Sequence, residues 1–229
     1  MCIYPKTPLV RGVKIKLSLR DDIDHFLNAQ PGMALKPSQD GLVHVKGRFR
    51  FSASCEGSPA VDDSFQLHLK ISRRYKEQLP LVYEVGERIP RDGNHHVNPD
   101  GTLCLGAPIR LHKILGKNFS LMEFVERCVV PFLYSISIAE AGHQRFQFGE
   151  LAHGVGGLID DYLKLFGCSS REALKRYLHT LMLKKRRANK QHCPCNCGRK
   201  LVKCRTHRVM VDMRGVIPRG VLKETLKVI

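Results

Sequence analysis

Hydrophobic and polar positions change period several times along this chain, and each change marks an element. Across 42–51, Val43, Val45, Phe49 and Phe51 alternate with His44, Lys46, Arg48 and Arg50. A period of two with one apolar face predicts a half-buried antiparallel strand. Phe65, Leu67, Leu69 and Ile71 repeat the pattern against Gln66, His68 and Lys70, after a turn at Gly57, Ser58 and Pro59. A third, shorter strand is predicted over 81–85. His44 and His68 fall on polar faces and read as surface residues. Upstream, 1–17 reads as extended, with Val13, Ile15 and Leu17 alternating. Ser18 then caps a helix over 19–28, with Asp21 and Asp22 in its first turn and Ile23, Phe26 and Leu27 on one stripe. Pro31-Gly32 ends it.

Beyond residue 104 the period becomes helical. Gly106 and Pro108 first keep the chain irregular. Ser120 caps a helix from Leu121, with Phe124, Val125, Cys128 and Phe132 on one side and a kink expected at Pro131. Four glycines at 149, 154, 156 and 157 loosen the connection to a second helix over 158–166, which Gly167 closes. Ser169 and Ser170 begin a third, 171–190, whose apolar side is Leu174, Tyr177, Leu178, Leu181 and Met182. The sum is an α+β fold: a helix, an antiparallel meander, an irregular loop and C-terminal helices.

Composition adds an appendage. The 229 residues, 43% hydrophobic, support one ordinary domain and a smaller extension. The best apolar run, 128–139, is short and holds Pro131, so no membrane span, no signal peptide and a cytoplasmic setting are expected. Of the net charge of +17, residues 171–210 carry +12, from thirteen Lys/Arg against Glu172 alone. Any polyanion would therefore bind there. The run Lys184-Lys185-Arg186-Arg187 fits a solvated helix end matched to the macrodipole, a nucleic-acid contact or a protein-docking surface. Nine cysteines are an odd number and four crowd 193–204, which favours metal binding in a reducing compartment over disulfides. Cys128 reads as core; Cys2, Cys55 and Cys168 read as incidental.

One thiol has a setting of its own. Asn94-His95-His96 lies upstream of the turn Asn98-Pro99-Asp100-Gly101, and Thr102-Leu103-Cys104-Leu105 follows. Proline and glycine fix the turn, and Leu103 and Leu105 could anchor Cys104 at a surface shelf. Cys104 with His95 and His96 suits nucleophilic catalysis; a buried small hydrophobe, a solvated His pair and a metal site are the other readings.

The stretch resembles the active-site segment of the ubiquitin-conjugating (UBC) fold, a His-Pro-Asn tripeptide, a Gly-containing turn, then Cys-Leu. Cys104 matches the thioester-forming cysteine, Leu105 the next leucine and Gly101 the glycine three residues before. Asn94, His95 and His96 fall on the tripeptide, so His96 stands where the family has its oxyanion-supporting asparagine. Tyr75…Pro80 before Leu81-Val82-Tyr83-Glu84 is similar to the family's Tyr-Pro…Pro segment, with Lys76 replacing its first proline. Bacterial UBC-like proteins of antiphage operons resemble this variant most. The resemblance spans about 15–165. It implies a UBC-like fold and a cysteine transferase with no cofactor for the transfer. The cargo would be a ubiquitin-like modifier, or the C-terminus of a CBASS-type nucleotidyltransferase. An activating enzyme and a target amine would be the partners.

Cys193, Cys195, Cys197, Cys204 and His207 stand within fifteen residues. Four S/N ligands suit structural zinc, which can fold a segment that lacks a core. The stretch resembles the SEC-C zinc motif, with Cys193, Cys195 and Cys204 matching three ligands. Arg205 occupies the usual fourth place. His207 is preferred for it over Cys197, which falls where the family has serine. The expected organisation is a UBC-like domain at 1–167, a basic helix or linker at 168–190, the zinc motif at 191–210 and a tail at 211–229. A non-catalytic UBC-like adaptor with a zinc-dependent basic tail for nucleic acid or protein is the alternative.

Overall fold

The computed structural model describes residues 2–3, 18–92, 95–142 and 154–229. The chain divides into two compact units, Met1–Leu105 with Asn118–Gly149, and Gly106–Lys117 with Glu150–Ile229.

The first unit is built on an antiparallel meander. Helix α1 (Leu19–Ala29) precedes β2 (Met33–Lys36), β3 (Val43–Cys55), β4 (Val61–Ile71) and β5 (Leu81–Glu84); β1 (Cys2–Ile3) adds to the far end of β3. The β3–β4 register runs from Val43↔Ile71 to Ala53↔Val61, and both strands bury the side that alternation assigns to the core. Phe26 of α1 stacks on Phe49, with ring centroids 6.4 Å apart. Burying each such side chain contributes roughly 1.5–3 kcal/mol. The Ser18 cap is a full capping box: Asp21 N–H donates to Ser18 Oγ and Ser18 N–H to the Asp21 carboxylate, each at 3.2 Å. Helix α3 (Leu121–Phe124) opens on the same device at Ser120. The irregularity expected at Pro131 is a π-helical turn, Val125–Val129, immediately before α4 (Val130–Glu140). A wider turn accommodates a residue that has no N–H to donate.

Strand β2 has no alternation to announce it. It exists because Gly32 and Gly47 let two backbones close up. Gly47 has φ +154°, and a Cβ there would lie 2.1 Å from the Gly32 carbonyl oxygen. Cys55, read as incidental, ends β3 and is disulfide-bonded. The extended stretch expected over 1–17 lies outside the described residues except for β1.

The second unit has a core of its own, which places the division elsewhere than at residue 167. Pro108 does not keep the chain irregular; it opens helix α2 (Pro108–Leu115), where a proline loses no hydrogen bond. Helix α5 (Gly154–Phe166) and α6 (Arg171–Met182) follow, the latter capped by Ser170. The helix expected to reach residue 190 stops at Met182, and the basic run lies on a separate short turn, α7 (Lys185–Ala188). The presumed tail is helix α8 (Thr206–Val216) and helix α9 (Arg219–Val228). Ile109, Tyr162, Leu174, Leu178, Leu181, Met210 and Leu222 are among the buried residues that join them. Arg110 and Asp161 pair with Nε–Oδ1 at 2.8 Å, and Tyr162 Oη accepts the Ile109 N–H at 3.2 Å.

Candidate functional site

Cys104 ends a loop that hydrogen bonds hold in one shape. Asn98 N–H donates to the Thr102 carbonyl and Gly101 N–H to the Asn98 carbonyl, both at 2.8 Å. Val97 and Leu103 face each other in a β-bridge, as do Tyr83 and Thr102. Leu103 N–H reaches the Val82 carbonyl at 2.7 Å, which ties the loop to β5. Asp100 accepts from the Thr102 N–H at 3.0 Å and from its hydroxyl at 2.6 Å. Those hydrogen bonds, the hydroxyl's first, hold the exposed Asp100 carboxyl below its usual range. Gly101 has φ +81°, the left-handed residue that follows the Asn98–Gly101 turn and lets Thr102 return its carbonyl to the Asn98 N–H.

Thr102 and Leu103 are buried, whereas Cys104 is exposed. The shelf expected for the sulfur is therefore present. Cys104 N–H donates to the His96 carbonyl at 2.8 Å. His96 has φ +52°, a left-handed conformation uncommon outside glycine and in which His is enriched. His95 turns to Asp92, with Nδ1 2.8 Å from the carboxylate. Asn94 lies outside the described residues. Of the free cysteines outside the 193–204 cluster, Cys128 is buried and Cys168 half-buried, so Cys104 is the exposed one. Burial pushes the Cys128 thiol up to about 12.

The second candidate is a thiol cluster. Cys193, Cys195, Cys197 and Cys204 bring their sulfurs within 4.8 Å of one another and could hold a metal ion. The Cys195–Cys204 and Cys197–Cys204 separations are both 3.7 Å, and Cys193–Cys195 is 3.1 Å. Four zinc–sulfur bonds of ~2.3 Å in a tetrahedron set sulfurs about 3.8 Å apart, so the donor set and spacing fit such an ion. A short hairpin presents three of the four. Cys193 N–H donates to the Arg199 carbonyl at 2.8 Å, His192 bridges Lys200, and Asn196 and Gly198 take positive φ at the tip. Cys204 follows the 3-10 turn Leu201–Lys203. Burial raises the Cys193 thiol, whereas hydrogen bonds from Thr206 lower Cys204 to about 6.

His207 is not of this group; Cys197 is. The reason is local: α8 begins at Thr206, and His207 sits in its first turn. Its backbone N–H bonds the Cys204 carbonyl at 2.9 Å, while its ring Nε2 is buried without a hydrogen-bond partner among the described residues. Nor is the cluster in a coreless tail, since Cys193 and Leu201 are buried in the core of the second unit.

Sequence reasoning missed a polar chain on the outer face of the sheet. His44 and His68 are half-buried, not plain surface residues. His44 Nε2 lies 2.9 Å from Asp40, and His68 Nε2 lies 3.0 Å from His44 Nδ1. Their position on the same face of paired strands, two residues apart on the diagonal, was the available signal (His44 is opposite Lys70, His68 opposite Lys46).

No family model matches this chain, and neither a curated protein nor a solved structure does. The fold and site thus define an α+β chain with an antiparallel meander, an exposed loop thiol and a four-thiol cluster suited to a metal. Among the described residues no helix is long and apolar enough to cross a membrane.

Proposed function

We propose that the protein is a UBC-type acyl transferase that carries the C-terminus of another protein as a thioester on Cys104. The observation that supports this best is the exposed Cys104 thiol on a hydrogen-bonded loop that follows a helix and a four-strand meander. A helix, an antiparallel meander and then a loop cysteine is the order the resemblance calls for up to residue 105, whereas 106–117 and the helix at 154–166, which the resemblance also includes, belong to the other unit.

The Cys104 thiolate attacks the thioester carbonyl of a modifier held by an activating enzyme. A new C–S bond forms as the bond to that enzyme's cysteine breaks, and its thiolate leaves. A lysine amine then attacks the Cys104 thioester. The C–N bond forms in that attack and gives a tetrahedral oxyanion; its collapse breaks the C–S bond, the Cys104 thiolate leaves and the amine's proton passes to a base. No electrons change hands and no cofactor takes part. In this reading His96, which stands at the place of the family's oxyanion-supporting asparagine and whose carbonyl accepts the Cys104 N–H, serves the transfer either as a ring N–H donor to the oxyanion or as the base that takes the amine's proton. His95, engaged with Asp92, and Asn94 shape the loop. The four cysteines hold structural zinc with all positions closed by protein. The setting is antiphage defence, with a ubiquitin-like modifier or a CBASS-type nucleotidyltransferase C-terminus as cargo.

The test is single-turnover discharge. Wild type is charged by co-expression with its flanking genes, purified, and mixed with free lysine. His96→Asn, which keeps a short donor and tolerates left-handed backbone, should discharge near the wild-type rate where the ring acts as donor, and slowly where it acts as base. His96→Ala should charge normally and discharge about 10²-fold more slowly, the usual loss for one oxyanion donor. Absence of any reductant-labile adduct on wild type, with an activating enzyme shown to be working, overturns the proposal.

A further inference from the structure

The second unit presents an unusual surface. Lys184, Lys185, Arg186, Arg187, Lys190, Arg199, Lys200, Lys203, Arg205 and Arg208 are all exposed. The chain has no acid from 173 to 211. Among the described residues none of these ten cations forms an ion pair; the pairs present are Arg88, Arg110 and other residues outside this stretch. They are also held close together. Gln191 N–H bonds the Ala188 carbonyl at 3.0 Å, which joins the end of α7 to the hairpin. Leu201 N–H returns to the Gln191 carbonyl at 3.0 Å, and four thiols within 4.8 Å tie the hairpin to the start of α8. Crowding ten cations that have no side-chain ion-pair partner costs repulsion, which four zinc-bound thiolates (a net charge of about −2) offset only in part and which a polyanion would relieve.

We infer that this surface binds the phosphate backbone of double-stranded nucleic acid. Single strands are usually held by base stacking on exposed aromatics. The described aromatics of this unit, Tyr162, Phe166 and Tyr177, are all buried. A membrane surface calls for an apolar wedge beside the charge, and a protein partner for aromatic or apolar anchors. Within 184–208 the one exposed large apolar side chain is Val202. What remains is backbone recognition by charge, without base readout.

The inference does not depend on chemistry at Cys104. The probes are a fluorescent 30-base-pair mixed-sequence DNA duplex, the matching RNA duplex and each single strand, titrated with the full chain between 50 and 200 mM salt. Either duplex should bind at least about tenfold tighter than its single strands, with a salt slope of about −0.9 per phosphate contacted. Replacing Lys184, Lys185, Arg186 and Arg187 together by Gln should flatten that slope by about 3–4 and weaken binding at least tenfold. Circular dichroism should show the variant folded. The relative affinity for the two duplexes separates DNA from RNA as the source of the backbone. Overturning results are an unchanged slope in the folded variant, equal binding of single strands, or tighter binding to phosphatidylserine vesicles or polyglutamate than to either duplex.

Discussion

At the scale of single residues, buried polar groups make the sharpest demands. His112 on α2 is 1% exposed, its Nδ1 has no partner among the described residues, and burial lowers its pKa to about 4. The unfolded chain takes up that proton near the ordinary value of about 6.5. Since the folded pKa is depressed, the neutral form is favoured in the fold. Stability is full above pH 6.5 and falls as pH drops from there toward 4, by about 3 kcal/mol in all. Urea unfolding of wild type against His112→Leu, across that range, should show this increment in wild type alone. Gly47 makes a steric demand. In Gly47→Ala the new Cβ meets the Gly32 carbonyl at positive φ, so stability should fall by well over 1 kcal/mol in the same assay. Asp63 adds a loss of the same sign at lower pH, though here it is the charged form that the fold favours. Hydrogen bonds from Arg88 and Ser137 hold its carboxyl down, to about 2. Its contribution is present above the unfolded value near 4 and is lost as pH falls toward 2.

At the scale of elements, patterns that a single side-chain period can carry were legible in the sequence. Helix α1, strands β3 and β4 and the Ser120 cap all stand where alternation and capping residues put them. Elements that depend on distant backbone did not show. Strand β2 is four residues paired through two glycines, and α2 is announced only by the proline that argued against it. The buried apolar residues here are Met210 and Met213 on α8, Ile217 between the helices and Leu222 on α9, split by Gly215 and Pro218, so neither stripe is long enough to read. The thiol cluster shows the same division. Its cysteines were evident, but the choice between Cys197 and His207 turned on where α8 starts. Metal analysis by mass spectrometry should therefore find one zinc per chain in wild type and in His207→Ala. In Cys197→Ser the content should fall well below one.

At the scale of the whole molecule, the exposed Cys104 thiol and the charged, thiol-tied surface belong to different compact units, each with its own core. A chain built this way can carry a covalent cargo on one unit and a recognition function on the other, and each is open to separate test. Carrier chemistry at Cys104 is the central claim, and trapping addresses it most directly. Cys104→Ser, expressed with the flanking genes, replaces the sulfur by an oxygen whose ester resists reductant. Intact mass should show a protein-sized adduct that survives reductant on Cys104→Ser, matches in mass a reductant-labile adduct on wild type, and is absent from Cys104→Ala. An unmodified mass for both wild type and Cys104→Ser beside a charged activating enzyme would contradict the account.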